Sequence, residues 1–317
     1  MEVAADAVRK PSVSIAVRWA LFAAAIALLT WAAASQWSGV SAAVAEMGWS
    51  PLAFATLAAA AALAFNTMSW RAVMRSVGLQ AAWTETASVF LVSQAGKYVP
   101  GAVWPVLAQA EFARAHGVSR GRAMTGSLVA MAVGVVTAGV VGTAGLVWWA
   151  PGAIMDYWWA LVVVAGLALL LVPSVLTRAL RLILKVLRRD ATPPRIGAKA
   201  LFASAAWSVA NWLALGVQAW ILLDALTPGT EGLWPLATGA FALAWLVGFL
   251  VVFAPAGVGP REAALVVLLA AVATRPEALA LALVSRFAMT LADALGLACG
   301  VLARRWRRAE PDRTAAP

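Results

Sequence analysis

The sequence predicts an all-α polytopic membrane protein with six spanning helices and two re-entrant helical hairpins, arranged as an inverted-topology repeat. Three observations predict this class: a strongly apolar composition, apolar segments with the length of membrane spans, and two segments interrupted by glycine and proline. Of the 317 residues, 63% are hydrophobic and only 12% are charged, whereas a soluble domain contains about a quarter charged residues. Much of the surface therefore faces lipid, which excludes a soluble enzyme with an ordinary core.

Six apolar segments are long enough to cross a bilayer, whose core of about 30 Å requires roughly 20 residues of helix. These segments are 18–36, 51–70, 123–149, 157–178, 200–224 and 278–303. The first of them follows basic residues and lacks a convincing cleavage site, so we expect a retained span rather than a signal peptide. We expect a single transmembrane domain over 1–317, in which 304–317 is a basic cytoplasmic tail.

Two further apolar stretches, 84–113 and 234–273, are interrupted and predict the hairpins. The interruptions read GKYVPG at 96–101 and PAGVGPRE at 255–262. Proline removes a backbone donor and glycine weakens a helix, so regular helix does not continue through either. The arms of the first stretch contain about 12 residues, or about 18 Å, and reach only the bilayer midplane. The arm 234–253 is long enough to span, but a full span without a return would place the arginine-rich tail outside.

The distribution of basic residues predicts a topology with both termini in the cytoplasm. In this arrangement the inner segments contain every Lys and Arg except four, as the positive-inside rule requires. We therefore expect a multi-pass protein of the cytoplasmic (inner) cell membrane. The halves 18–149 and 157–303 then share the order span, span, hairpin, span, in opposite orientations. Inverted repeats with broken helices are typical of transporters that bind substrate near the midplane.

Three of the four exceptions, Lys97, Arg261 and Arg286, fall at membrane depth, and the fourth, Arg275, lies in an outer segment. A charge near the bilayer centre costs at least about 2.5–3.5 kcal/mol on insertion scales. Lys97 and Arg261 each lie at a hairpin tip, close to the start of a helix. Helix N-termini present free N–H groups and favour phosphate. Two such tips predict a shared phosphate-binding cavity.

Ion pairing is the alternative for each of these cations. Asp293 follows Arg286 by seven residues on the same helix face, which predicts an internal ion pair or, alternatively, a proton-coupling carboxylate. Lys97 is also long enough to snorkel toward the interface. The other candidate pairs are Arg261 with Glu262 or Asp293, and Lys97 with Glu85.

Both interruptions carry motifs that resemble those of a known family. The segment 94–105 reads QAGKYVPGAVWP and resembles the G-K-Y-x-P-G-x-x-W-P signature of the lysylphosphatidylglycerol synthase transmembrane (flippase-like) family. The segment 255–262 is similar to that family's P-G-G-x-G-x-R-E, with Ala256 replacing a glycine and Pro260 an aliphatic residue. The segment 285–287 is similar to its Y-R-L/F element. The likeness covers nearly the whole chain.

The resemblance implies lipid translocation rather than synthesis, because family members that make lysyl-phosphatidylglycerol carry a separate soluble transferase domain. The implied substrate is an anionic phosphate-linked lipid. A polyprenyl-phosphate monosaccharide is the leading candidate, and an aminoacylated or other phospholipid is the second. The alternatives are an accessory subunit of a membrane glycosyltransferase and a non-transporting scaffold.

We accordingly expect a transporter rather than an enzyme, with no catalytic residue, metal or cofactor. A single cysteine and a single histidine exclude a disulfide framework and a zinc cluster. The expected partners are a lipid substrate with a phosphate headgroup, the surrounding membrane lipids and a glycosyltransferase that supplies the substrate, without nucleic acid. The expected substrate-binding residues are Lys97, Tyr98, Pro100, Gly101, Trp104, Gly257, Gly259, Arg261, Glu262, Arg286 and Asp293.

Overall fold

The computed structural model describes residues 34, 37–98, 104–152, 158–186, 194–251 and 257–309. Within these ranges the regular structure consists of α-helices and two short 3₁₀ turns, without a β-strand. The α-helices are α1 (Trp37–Met47), α2 (Trp49–Ser76), α3 (Trp83–Gln94), α4 (Trp104–Ala115), α5 (Arg120–Trp149), α6 (Trp158–Ala168), α7 (Pro173–Val186), α8 (Ala198–Leu226), α9 (Leu233–Leu250), α10 (Pro260–Leu268) and α11 (Arg275–Ala309).

Five described helices, α2, α5, α8, α9 and α11, are long and apolar enough to cross a membrane. The protein is therefore a multi-pass membrane protein. Four of the five contain predicted spans, namely 51–70, 123–149, 200–224 and 278–303. The predicted first span, 18–36, lies outside the described residues apart from residue 34.

The predicted span 157–178 is divided into two helices. Helix α6 ends at Ala168, a 3₁₀ turn covers Leu169–Leu171, and α7 begins at Pro173. A proline inside a helix removes a hydrogen bond and clashes with the preceding turn, whereas the first position of a helix tolerates it. A new helix therefore begins at Pro173, and this segment does not form a single spanning helix.

Each interrupted stretch forms two helices that pack on each other. Helices α3 and α4 have 12 residues each, or about 18 Å, and Gln109 Nε2 of α4 donates to Ser93 Oγ of α3 at 3.0 Å. Helix α9 has 18 residues and α10 only 9. The arm 234–253, predicted to be re-entrant, thus contains a helix of about 27 Å, which is long enough to cross the membrane.

Small residues allow close contact between the two halves of the chain. Helices α2 and α8 pack along each other, and Ser69 Oγ lies 2.9 Å from Ser204 Oγ at their contact. Helix α9 lies against Gly142 and Gly145 of α5. A Cβ on Gly145 would lie 2.5 Å from the carbonyl oxygen of Pro235, so only glycine fits there. Small residues are typical of helix contacts in membranes.

Helix α3 packs on α11 in a comparable way, against Gly296 and Gly300. A Cβ on Gly300 would lie 3.1 Å from the carbonyl oxygen of Ser88, and one on Gly296 would lie 3.2 Å from the side chain of Leu91. Ser88 Oγ also hydrogen-bonds the Gly300 carbonyl. The first helix of each hairpin therefore lies against a pair of glycines in a long helix of the other half.

Candidate functional site

The first interruption closes α3 with a 3₁₀ turn, Ala95–Tyr98, that carries Lys97. Gly96 lies directly against the start of α4, because a Cβ there would lie 3.0 Å from the Cβ of Trp104 and 3.1 Å from the backbone nitrogen of Pro105. The missing side chain lets the turn pack on the next helix. Trp104 begins α4 and is half exposed. Of the other predicted site residues, Tyr98 ends the turn, and Pro100 and Gly101 lie outside the described residues.

Lys97 reaches helix α11 through an ion pair. Its Nζ lies 2.6 Å from Oδ2 of Asp293, and the two side chains are 31% and 10% exposed. The sequence also offered Glu85 as a partner of Lys97. Glu85 lies at the other end of α3, however, about 18 Å away along the helix axis. The Glu85 carboxylate instead accepts the N–H of Ala82 at 3.3 Å.

Two glycines with positive φ form the second tip before α10. The φ angles are 68° at Gly257 and 94° at Gly259, a region that residues with a Cβ adopt only with strain. Gly257 also packs on the backbone of α9, where a Cβ would lie 3.0 Å from the Cα of Gly248. Pro260 occupies the first turn of α10, where proline is favoured, so the substitution relative to the family motif does not interrupt the helix. Ala256 lies outside the described residues.

Glu262 connects this second tip to α11. Its Oε2 accepts the N–H of Gly259 at 2.7 Å, as the third helical residue does in a capping box. Its Oε1 accepts from Nε and Nη2 of Arg286, at 2.9 and 2.7 Å. The Glu262 side chain is only 4% exposed and that of Arg286 is 22% exposed, so the pair is largely buried.

Arg261 lies between α9 and α11 and is only 6% exposed. Its Cζ lies 4.5 Å from the ring centre of Phe241, and its Nη2 donates to Met289 Sδ at 3.2 Å. Cation–π contacts strengthen when they are shielded from water. The ion pairs described here join Glu262 to Arg286 and Asp293 to Lys97, which differ from the pairs considered from the sequence.

The contacts from both tips reach one stripe of α11, because Arg286, Met289 and Asp293 are three and four residues apart. Lys97 contacts this stripe at Asp293 and Arg261 contacts it at Met289, about 6 Å apart along the helix. We define the tip cluster as Lys97, Arg261, Glu262, Arg286 and Asp293. Its three cations and two carboxylates leave one excess formal positive charge.

Glu111, near the end of α4, lies outside the tip cluster and is exposed. Its two carboxylate oxygens lie 2.6 and 2.7 Å from the Nη2 atoms of Arg114 and Arg120. Hydrogen bonds from these guanidinium groups lower the pKa of Glu111 from 4.5. The contact with Arg120 joins α4 to the start of α5, away from the hairpin tips.

A family model of the lysylphosphatidylglycerol synthase transmembrane region matches residues 15–296. The chain belongs to this family. The match contains both interrupted stretches and the whole tip cluster, so the resemblance carried by the motifs is confirmed. Membership gives the protein a lipid-related role in the membrane. A search among curated proteins found no match.

In this member of the family, two contacts of Arg261 were not predicted from the sequence. Phe241 and Met289 are apolar residues within apolar helices, and no local pattern distinguishes them from ordinary core residues. The only signal is the spacing of Met289, which places it on the face shared by Arg286 and Asp293.

Proposed function

We propose that this protein is a flippase that moves an anionic phosphate-linked lipid from the inner to the outer leaflet of the cell membrane, with a polyprenyl-phosphate monosaccharide as the leading candidate. The tip cluster carries this proposal. Two hairpins from different halves of the chain bring Lys97 and Arg261 to one stripe of α11, with one positive charge in excess. The N-terminal end of α10 adds backbone N–H groups and a favourable dipole for phosphate.

The ion pairs in the cluster are compatible with an exchangeable anion site. A cation at membrane depth requires a compensating partner, and Asp293 supplies one to Lys97 in the structure. In the proposed cycle a lipid phosphate replaces the carboxylate as the partner of Lys97. The 31% exposure of the Lys97 side chain supports access of a headgroup to this cation, whereas Arg261 is largely enclosed.

The packing of the two halves supports a rocking mechanism. Helices α2 and α8, which occupy equivalent places in the predicted repeats, pack on each other. The first hairpin packs through α3 on α11, and the second packs through α9 on α5. Each hairpin thus lies on the last helix of the other half, as expected for an inverted repeat. The headgroup would enter from the cytoplasmic side while the lipid tail stays in the bilayer.

Transport is tested with purified protein in liposomes that carry a fluorescent polyprenyl-phosphate monosaccharide. Impermeant periodate oxidises sugar in the outer leaflet, so a flippase increases the fraction that becomes oxidised with time. We expect the wild-type protein to accelerate this process over protein-free liposomes. Lack of acceleration by a folded protein would contradict the proposal.

A double variant separates phosphate binding from ion-pair stability. Lys97→Met combined with Asp293→Asn removes both charges, so it leaves no stranded carboxylate and preserves the net charge of the cluster. We expect this variant to melt close to the wild type and to lose transport. The matched control, Glu111→Gln with Arg114→Gln, removes an ion pair outside the cluster and should transport normally. Transport that survives in the double variant would exclude Lys97 as a phosphate ligand.

An aminoacylated phospholipid is the second candidate, because the matching family model describes the transmembrane region of a lysylphosphatidylglycerol synthase. The same liposomes are prepared with fluorescent lysyl-phosphatidylglycerol, and its accessibility is followed with an impermeant amine reagent. A faster rate for this lipid than for the polyprenyl-phosphate sugar would favour the second candidate. An accessory subunit would bind one of the lipids without accelerating its movement.

A further inference from the structure

A basic groove of about 460 Å³ lies between α7 and the segment that leads into α8. It is lined by Arg178 and Arg181 of α7, by Arg195, and by the hydroxyl-bearing side chains of Ser174 and Thr177. All three arginines are exposed. Among the described residues, none of them forms an ion pair with a carboxylate. The groove shares no residue with the tip cluster, and it therefore concentrates positive charge independently of the proposed transport site.

Helix α7 is amphipathic, a pattern that fits the edge of the apolar layer. Ser174, Thr177, Arg178 and Arg181 follow an i, i+3, i+4, i+7 spacing and therefore lie along one face of the helix. Leu176 lies on another face and is buried against the core. Helix α7 also follows apolar α6 after only a short turn. A basic amphipathic helix next to an apolar helix is typical of the membrane–water interface.

Exposed apolar side chains border the same region. Val172, which directly precedes α7, is 42% exposed, and Leu182, which follows Arg181 within α7, is 63% exposed. Guanidinium groups match the geometry of phosphate oxygens with paired donors. A soluble phosphate ion would use only the basic groups, whereas a lipid would also contact the apolar residues.

We propose that this groove binds the phosphate of an anionic phospholipid headgroup, separately from the lipid that the protein transports. The arginines hold the phosphate, and the acyl chains lie against the exposed side chains of Val172 and Leu182. A lipid bound there connects α7 to the start of α8, since Arg178 and Arg195 belong to different segments. The bound lipid would fix the surface position of the chain between α6 and α8.

The test compares two variants of the full chain that lose the same charge. The groove variant is Arg178→Gln, Arg181→Gln and Arg195→Gln. The control variant is Arg75→Gln, Arg122→Gln and Arg305→Gln, at exposed positions outside the groove. Each protein is purified in neutral detergent and titrated with phosphatidylglycerol, and native mass spectrometry counts the bound lipids.

We expect wild type and control to bind one phosphatidylglycerol more tightly than the groove variant, by up to about fivefold per arginine. Equal binding by wild type and groove variant, or equal weakening in the control, would overturn the proposal. Phosphatidylcholine that binds as tightly would exclude recognition of an anionic headgroup. Inorganic phosphate that blocks the lipid at equal concentration would assign the groove to a soluble anion.

Melting without added lipid checks that both variants fold. If the groove variant fails to fold, the single variants Arg178→Gln and Arg195→Gln are titrated in the same way. Each should weaken phosphatidylglycerol binding by up to about fivefold, and unchanged binding in both would overturn the proposal. Neither arginine belongs to the tip cluster, so loss of lipid binding here with normal transport distinguishes this site from the proposed transport function.

Discussion

Lys97 in the 3₁₀ turn after α3 and Asp293 within α11 form an ion pair of 2.6 Å between Nζ and Oδ2, although they belong to different halves of the chain. The pair joins a hairpin tip to a long apolar helix. Removing one partner of a buried pair leaves the other charge uncompensated, whereas removing both avoids this penalty. The energetic coupling between the two residues is therefore directly measurable.

We expect Lys97→Met alone to lower the free energy of unfolding by about 3 kcal/mol, because it leaves Asp293 without this partner. This value is the lower end of the range for buried pairs, since the lysine side chain is 31% exposed. Asp293→Asn alone should also destabilise, and the double variant should lose less than the sum of the two. Thermal unfolding in detergent measures all four proteins. Additive losses would show that the two residues are not coupled.

Glu262 combines two roles that different substitutions separate. Glu262→Gln keeps an acceptor for the N–H of Gly259 but removes the charge that pairs with Arg286. Because the site is buried, we expect a loss of about 3–5 kcal/mol. Glu262→Ala removes the capping contact as well and should cost about 1 kcal/mol more. Equal melting temperatures for the two variants would mean that the capping contact contributes nothing.

The glycines of the second tip provide a matched pair of substitutions. Gly259→Ala meets open space but requires positive φ, so it should cost about 1–2 kcal/mol. Gly257→Ala requires positive φ and also meets the backbone of Gly248, so it should cost at least about 1 kcal/mol more. The difference in unfolding free energy between the two variants measures the close contact. A smaller loss of unfolding free energy for Gly257→Ala than for Gly259→Ala would contradict the close contact between Gly257 and Gly248.

Cysteine labelling tests the proposed topology, on a background in which the exposed Cys299 is replaced by alanine. With an impermeant thiol reagent added outside, we expect labelling of Ala45→Cys and Pro228→Cys but not of Gln80→Cys. All three positions are exposed in the structure. The opposite pattern would invert the orientation and would contradict the charge argument.

A fourth position decides whether α9 crosses the membrane. Val251 follows the last residue of α9 and is 37% exposed. If α9 crosses completely, Val251→Cys should react with the reagent from the cytoplasmic side of inverted vesicles. Protection from both sides would instead place the end of α9 within the bilayer, as in a re-entrant arm.

The breaks at both hairpins were predictable because glycine and proline change the backbone locally. The partners of the charged residues were not predictable, because helical spacing specifies a face but not the element that packs on it. Arg286 and Asp293 share a face, and the structure brings Glu262 and Lys97 to that face from two other elements.

Two differences in the fold have separate causes. The segment 157–178 is apolar enough for a span, and average hydropathy conceals the helix break at Pro173. The composition of the arm that contains α9 is compatible with a membrane span and also with a buried helix. The end of α9 depends on the second tip, which packs back on this helix where Gly257 contacts Gly248. Long-range packing decides only the second case, because the break in the first comes from the local effect of Pro173.

The glycine pairs on α5 and α11 have a mechanical consequence. Gly142 and Gly296 hold leucine side chains of neighbouring helices, whereas Gly145 and Gly300 lie directly against the backbone of α9 and α3. Interlocking side chains resist sliding because their rotamers must change at each step, and the backbone contacts lack this resistance. Helices that meet through bare backbone can slide along each other by small shear motions. In this protein, displacement of either hairpin would therefore disrupt the polar contacts at its tip together with the apolar packing of its first helix, so that charge pairs and packing resist the shift jointly.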